Sequence, residues 1–237
     1  MIRNLIFLFA LLKIVLPSSA QTNVYLLPGQ GADHRQYQFM DLGSEYALKD
    51  IRYFTPALGM DMREYAFLLS RQIDRSQPFI LIGTSLGGML ATEMTEFLKP
   101  EHVIIIASAK CRKELPLHYR LQKYFEINNL IPATLTKWGA LILQPLVEPD
   151  RDQYKEIFVN MLEDKDPLFL SRTVEMIVSW EREEAPRSII HIHGTEDHTL
   201  PIKNVDPDYI IEGGSHMMTL TRADEINQLI LEILSKE

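Results

Sequence analysis

Apolar and polar positions along this chain follow two periods in turn. Residues 24–27 are apolar without interruption and stop at Pro28-Gly29, the form of a strand buried on both faces and closed by a turn. Residues 50–54 predict a second strand, ended by Thr55-Pro56. Over 62–73 the apolar residues Tyr65, Phe67, Leu68, Leu69 and Ile73 fall mainly at helical spacing, with Asp61 placed to cap them. Residues 79–82 predict a third strand, 86–98 a helix stopped by Lys99-Pro100, and 103–107 a fourth strand. Strands apolar on both faces that alternate with helices predict a mostly parallel sheet covered by helices on both sides.

The alternation then breaks. Residues 110–186 carry no strand signal but several helical stretches, rich in Tyr119, Tyr124, Phe125, Trp138, Phe158, Phe169 and Trp180. The best marked begins with Asp166 as N-cap and Pro167 at the first helical position, followed by Leu168, Phe169, Val174, Ile177 and Val178. Strands resume at 188–193 and 208–211. A last helix, 222–234, places Ile226, Leu229, Ile230 and Ile233 on one face. The expected organisation is one α/β domain over residues 21–237, with a helical insertion at about 110–186.

Composition narrows the function classes. Hydrophobic residues make up 46% and charged residues 24%, enough apolar material for a large core. The formal charge of −8 repels phosphate backbones and argues against nucleic acid as a partner. A single cysteine, Cys111, excludes an internal disulfide and a Cys-rich metal site. The first twenty residues form a separate object: Arg3, an apolar run over 5–16 broken by Lys13, then Pro17-Ser18-Ser19-Ala20. Basic, apolar and small residues in that order predict a secretory signal peptide and an exported, periplasmic or secreted protein. The run is short for a membrane span, so no stable span is expected after processing; a retained anchor is the alternative.

The strongest chemical signal is Gly83-Thr84-Ser85-Leu86-Gly87, between a predicted strand and a predicted helix. A sharp strand-to-helix turn leaves no room for side chains beside the serine, and glycine at 83 and 87 removes the collisions. The turn also sets Ser85 at a helix N-terminus, where free N–H groups can stabilise a developing oxyanion. Such a serine needs a base, and the base needs an acid. Asp197 follows the strand that carries His191 and His193, and His216 follows the last strand in Gly213-Gly214-Ser215-His216. Read alone, Asp197 is a turn residue and His216 a loop histidine; together with Ser85 they make a nucleophile, base and orienting acid.

Ser85, then Asp197, then His216, with Gly194-x-x-Asp197-x-x-x-Pro201 and Gly214-x-His216 around the last two, resembles the α/β-hydrolase superfamily. Pro28-Gly29-Gln30-Gly31 is similar to that family's oxyanion loop, with Pro28 where a histidine is usual. The resemblance covers nearly all of residues 23–236 and implies an α/β-hydrolase fold with a helical cap. It implies Ser85, Asp197 and His216 as catalytic residues and the backbone N–H groups of Gln30 and Leu86 as the oxyanion hole. It implies a serine hydrolase with no cofactor and no metal, and the aromatic-rich insertion with the acidic surface points to small to medium, fairly apolar esters as substrates. Thioesterase or acyltransferase chemistry on the same residues, or a non-catalytic ligand-binding protein, remain alternatives. His191 and His193 alternate on one strand; packing or capping is favoured over metal binding for them. His34, His102, His118 and His198 read as surface or packing residues, Cys111 as a small buried hydrophobe, and Met217 and Met218 as packing beneath the base. Glu181, Glu183 and Glu184 read as a solvated charge run.

Overall fold

Six strands form one parallel sheet: β1 (Thr22–Leu27), β2 (Tyr46–Asp50), β3 (Phe79–Thr84), β4 (His102–Ile106), β5 (Ile189–Gly194) and β6 (Tyr209–Ile211). Their order across the sheet is β2-β1-β3-β4-β5-β6. The computed structural model describes residues 21–122, 151–186 and 188–236. The predicted signal peptide, 1–20, lies outside the described residues, as do Tyr124, Phe125 and Trp138 of the insertion. Among the described residues no helix is long and apolar enough to cross a membrane.

Period-two alternation divides the strand side chains between two cores. Tyr25, Leu27, Phe79, Leu81, Val103 and Ile105 face helices α1 (Met62–Leu69) and α2 (Leu86–Met94). Val24, Leu26, Ile80, Ile82, Ile104 and Ile106 face the other side, where Ile226, Ile230 and Ile233 of the last helix pack. Strands buried on both faces can contain no polar residue without a partner, hence the uninterrupted apolar runs. In register, Leu27 of β1 stands beside Gly83 of β3, and Gly83 beside Ile105 of β4.

Three further helices of the insertion are described: α3 (Leu117–Gln122), α4 (Lys155–Glu163) and α5 (Pro167–Val178). Asp166 caps α5 by accepting from Leu168 N, with Pro167 at the first position, as its sequence predicts. The insertion packs onto the sheet side occupied by α1 and α2: Phe169, Leu170, Met176, Ile177 and Trp180 join that core. After β6 come α6 (Met218–Thr221) and α7 (Ala223–Leu234), the latter burying Ile226, Ile230 and Ile233.

Two elements differ from expectation. The second strand is Tyr46–Asp50 rather than 50–54. It lies at the sheet edge with Leu48, Lys49 and Asp50 exposed, so it carries little apolar signal. The apolar residues at 51–54 lie beyond the strand and pack: Ile51 N bonds the Leu26 carbonyl, and the Tyr53 ring meets Tyr65 and Phe169. The first two helices also end earlier than predicted, at Leu69 and Met94, and continue as shorter turns.

Candidate active site

Strand β3 ends at Thr84 and α2 begins at Leu86, so the whole reversal falls on Ser85. Its φ of 53° and ψ of −120° are outside the ordinary regions for a residue with a side chain, at a cost of about 1–3 kcal/mol. Close packing holds it there. A Cβ on Gly83 would collide with the Gly87 carbonyl, and a Cβ on Gly87 with the Leu27 carbonyl at the end of β1. Ser85 N donates to the Ile106 carbonyl at 3.1 Å, and the Ser85 carbonyl accepts from Gly88 N at 2.9 Å and Ser108 Oγ at 2.7 Å. Ala107, at φ 48°, turns the chain at the end of β4 just before Ser108 makes that contact.

The structure brings the three predicted side chains together. Ser85 Oγ lies 2.9 Å from His216 Nε2, and His216 Nδ1 lies 2.8 Å from Asp197 Oδ2. A serine hydroxyl that donates to Nε2 leaves the ring proton on Nδ1, directed at the carboxylate. Two loops are stitched to make this alignment. Glu196 N bonds the Gly214 carbonyl and Thr195 N the Ile211 carbonyl, while a Cβ on Gly194 would strike Gly214. The other Asp197 oxygen, Oδ1, accepts from Leu200 N at 2.7 Å. Burial raises the pKa of the Asp197 carboxyl. The charge and hydrogen bond of His216, with His193 and the Leu200 N–H, outweigh it and hold the group below the ordinary carboxylate range.

The loop after β1 is fixed from several directions. Tyr53 donates to the Pro28 carbonyl and Tyr37 to the Leu27 carbonyl, each at 2.8 Å. The Gln30 side chain donates to the Leu170 carbonyl and to Thr173 Oγ1, both at 2.9 Å, which ties this loop to α5. The backbone N–H groups of Gln30 and Leu86 have no protein acceptor among the described residues. Both belong to the segments that border Ser85, and Gln30 lines the same cavity.

That cavity has a volume of about 420 Å³ and contains Ser85 and His216. Met89, Phe158, Leu162, Leu170, Val174 and Ile177 supply its apolar wall, and no Asp, Glu, Lys or Arg among the described residues lines it. His118, His198 and Met217 line it as well; the two histidines are exposed and Met217 is buried, in line with their surface and packing readings. His118 is carried over the site by α3, and His198 and Met217 follow directly on Asp197 and His216. Nothing in the sequence marks His118 as a neighbour of the cavity, because the folding of the insertion decides which face of α3 meets it. Met218 is fully buried, as expected.

His191 and His193 are both buried and face each other, Nε2 to Nδ1, at 3.1 Å. His193 Nε2 is 2.7 Å from the Leu200 carbonyl and so must carry a proton. Its Nδ1 then accepts from His191 Nε2–H. The pair caps the loop that bears Asp197, in line with the packing or capping role. Among the described residues no group of His, Cys, Asp and Glu has the arrangement of a metal site.

The sequence model described as Alpha/beta hydrolase family matches residues 8–229. The chain belongs to the α/β-hydrolase family. Among solved structures this hydrolase is similar to a thermophilic esterase from Thermogutta terrifontis, at 14% identity and TM-score 0.65, covering 92% of this chain and 91% of that one. It is similar to an enol-lactonase from Burkholderia xenovorans at 13% identity and TM-score 0.61, over 91% and 92% of the two chains. A type II thioesterase of the yersiniabactin pathway matches at 15% identity and TM-score 0.61, over 91% and 93%. A comparison with curated proteins found no match. At these identities the likeness is one of fold.

Proposed function

We propose that this protein is a serine hydrolase of carboxylesterase type, cleaving small to medium, fairly apolar esters. The carrying observation is the hydrogen-bonded chain from Ser85 Oγ through His216 to Asp197, opening on a largely apolar cavity lined by no described Asp, Glu, Lys or Arg. In the proposed mechanism His216 Nε2 takes the Ser85 proton as Oγ attacks the ester carbonyl. Asp197 holds the ring and stabilises its cationic form. The Gln30 and Leu86 N–H groups receive the oxyanion, a contribution of about 3 kcal/mol for each donor. Collapse breaks the ester C–O bond, and His216 returns the proton to the departing alcohol. Water, deprotonated by His216, then releases the acid and restores Ser85.

The cavity favours an apolar acyl or alcohol group over a polyanion, because no described lysine or arginine lines it. Thioesters and lactones would use the same steps, and the esterase, enol-lactonase and thioesterase neighbours are consistent with that range. An exported location after removal of residues 1–20 is part of the proposal and rests on their basic-apolar-small order.

The test is reaction with a serine-directed fluorophosphonate probe and turnover of p-nitrophenyl butyrate, each beside a Ser85→Ala control. Labelling and turnover in the wild type, with turnover reduced about 10⁶-fold and labelling abolished in the control, are expected. A folded wild type that is neither labelled nor active would replace this reading with that of a ligand-binding protein.

A further inference from the structure

The oxyanion loop carries a second hydrogen-bonding side chain. Gln36 sits in the 3₁₀ turn His34–Tyr37, which Asp33 caps by accepting from Arg35 N. It is 1% exposed, and its Oε1 accepts from Gly29 N at 2.8 Å. That bond fixes which way the amide faces, since only the oxygen can receive an N–H. The other end of the amide is therefore the NH₂ group. Nε2 has no hydrogen-bond partner among the described residues, and it is not one of the polar atoms that packing seals off. Gln36 and Ser85 line one cavity, and with Oε1 turned to Gly29 N the NH₂ is the polar group the carboxamide has left to offer it. A Cβ on Gly29 would stand 3.5 Å from Ser85 Cβ and 3.6 Å from Gln36 Oε1, so the nucleophile and the carboxamide border the same glycine.

A nearly buried NH₂ group without an acceptor is costly unless something that enters the cavity completes it. We propose that Gln36 Nε2 is a substrate-binding donor that selects acyl groups carrying a neutral oxygen acceptor, such as an ether, hydroxyl or keto oxygen, next to the reacting carbonyl. The proposal rests on the hydrolase reading. A neutral oxygen fits because no described lysine or arginine lines the cavity to balance an anion. The acyl side is assigned because the leaving group must stay within reach of His216 Nε2. The acyl group, by contrast, remains on Ser85 through both half-reactions, beside Gly29.

Two esters of nearly identical shape test this: p-nitrophenyl butyrate and p-nitrophenyl methoxyacetate, which differ by one methylene replaced with oxygen. Their kcat/KM ratio is measured in the wild type and in Gln36→Glu, which keeps an oxygen for Gly29 N–H but removes the NH₂ donor. Comparing the ratio between proteins cancels the intrinsic reactivity of methoxyacetate. A preference for methoxyacetate that falls about tenfold in Gln36→Glu is the expected result. Gln36→Met, with no donor and only a weakly accepting sulfur, provides a second variant in case the buried carboxyl prevents folding, and the same fall in the ratio is expected of it. An active wild type whose ratio is unmoved in a folded variant overturns the subsite alone. A wild type inactive on both esters and unlabelled by the serine probe overturns the hydrolase reading and the subsite with it.

Discussion

His193 Nε2 stands 3.5 Å from Asp197 Oδ2, the same oxygen that receives His216 Nδ1 at 2.8 Å. One carboxylate thus faces two imidazoles, while its second oxygen is held by Leu200 N. Replacing it with an amide puts an NH₂ group or an uncharged oxygen where the His216 ring donates to an anion. Asp197→Asn is expected to keep the fold and lower kcat on p-nitrophenyl butyrate about 10⁴-fold, by favouring the wrong His216 tautomer. A folded variant that loses less than tenfold would remove Asp197 from the mechanism.

The histidine pair makes stability depend on pH. Burial, then the facing His193 and Lys110, pushes the His191 imidazole well below its ordinary 6.5, and burial also lowers His193. The unfolded chain therefore binds protons before the folded one on acidification. The stabilisation is fully present above pH 6.5 and is lost as pH falls toward the folded-state values. Urea midpoints should decline between about pH 8 and about pH 5. His191→Phe should be less stable at the upper pH, having lost the donor to His193, yet show a shallower decline. Parallel declines in the two proteins would contradict this account.

Packing at the elbow predicts a contrast between two glycines. At Gly87 a Cβ meets the rigid Leu27 carbonyl, whereas at Gly29 it has only ordinary contacts. Gly87→Ala should destabilise by about 3 kcal/mol, read as a lower melting temperature and loss of probe labelling. Gly29→Ala should melt close to the wild type. Similar melting temperatures for all three proteins would show that the elbow is less constrained than its contacts imply.

Arg182 bridges the end of the insertion to α2. Its Nε bonds Glu93 Oε1 at 2.9 Å and its Nη2 bonds Glu96 Oε1 at 2.7 Å, while Trp180 Nε1 also reaches Glu93 Oε1 at 2.8 Å. Glu93 is buried, so removing the guanidinium leaves a carboxylate whose remaining hydrogen-bond partner among the described residues is the indole. Arg182→Ala should cost about 3 kcal/mol in chemical denaturation. The double variant Arg182→Ala with Glu93→Gln should recover part of that loss, and no recovery would argue against an unpaired charge as the cause.

How far the sequence reveals each feature depends on how local its cause is. The elbow is legible because Gly83, Ser85 and Gly87 answer to collisions within one turn and the strand beside it. The central strands are legible because both their faces are buried. The edge strand Tyr46–Asp50 is not, since half-exposed pairing leaves Lys49 and Asp50 where an apolar period would be sought. Gln36, His118 and His198 are illegible for another reason. They lie on a short turn after β1, on α3 and in the loop after β5, and only the pairing of distant strands and the packing of α3 bring them to the cavity of Ser85. His191 and His193 stand between: their spacing puts them on one side of a strand, but only the Leu200 carbonyl discloses that they brace a loop.

Ser85 and His216 are 131 residues apart in sequence and joined by one hydrogen bond. Their alignment requires β3, β4, β5 and β6 to be paired in register, with the β5 and β6 loops stitched together. Contacts of such long range form slowly, because the intervening chain must be ordered before they contribute. On the proposed mechanism an emerging polypeptide therefore stays unreactive at Ser85 until its last strand has joined the sheet. Labelling of that serine would then be a completion mark, a single event by which newly folded molecules are told apart from unfinished ones.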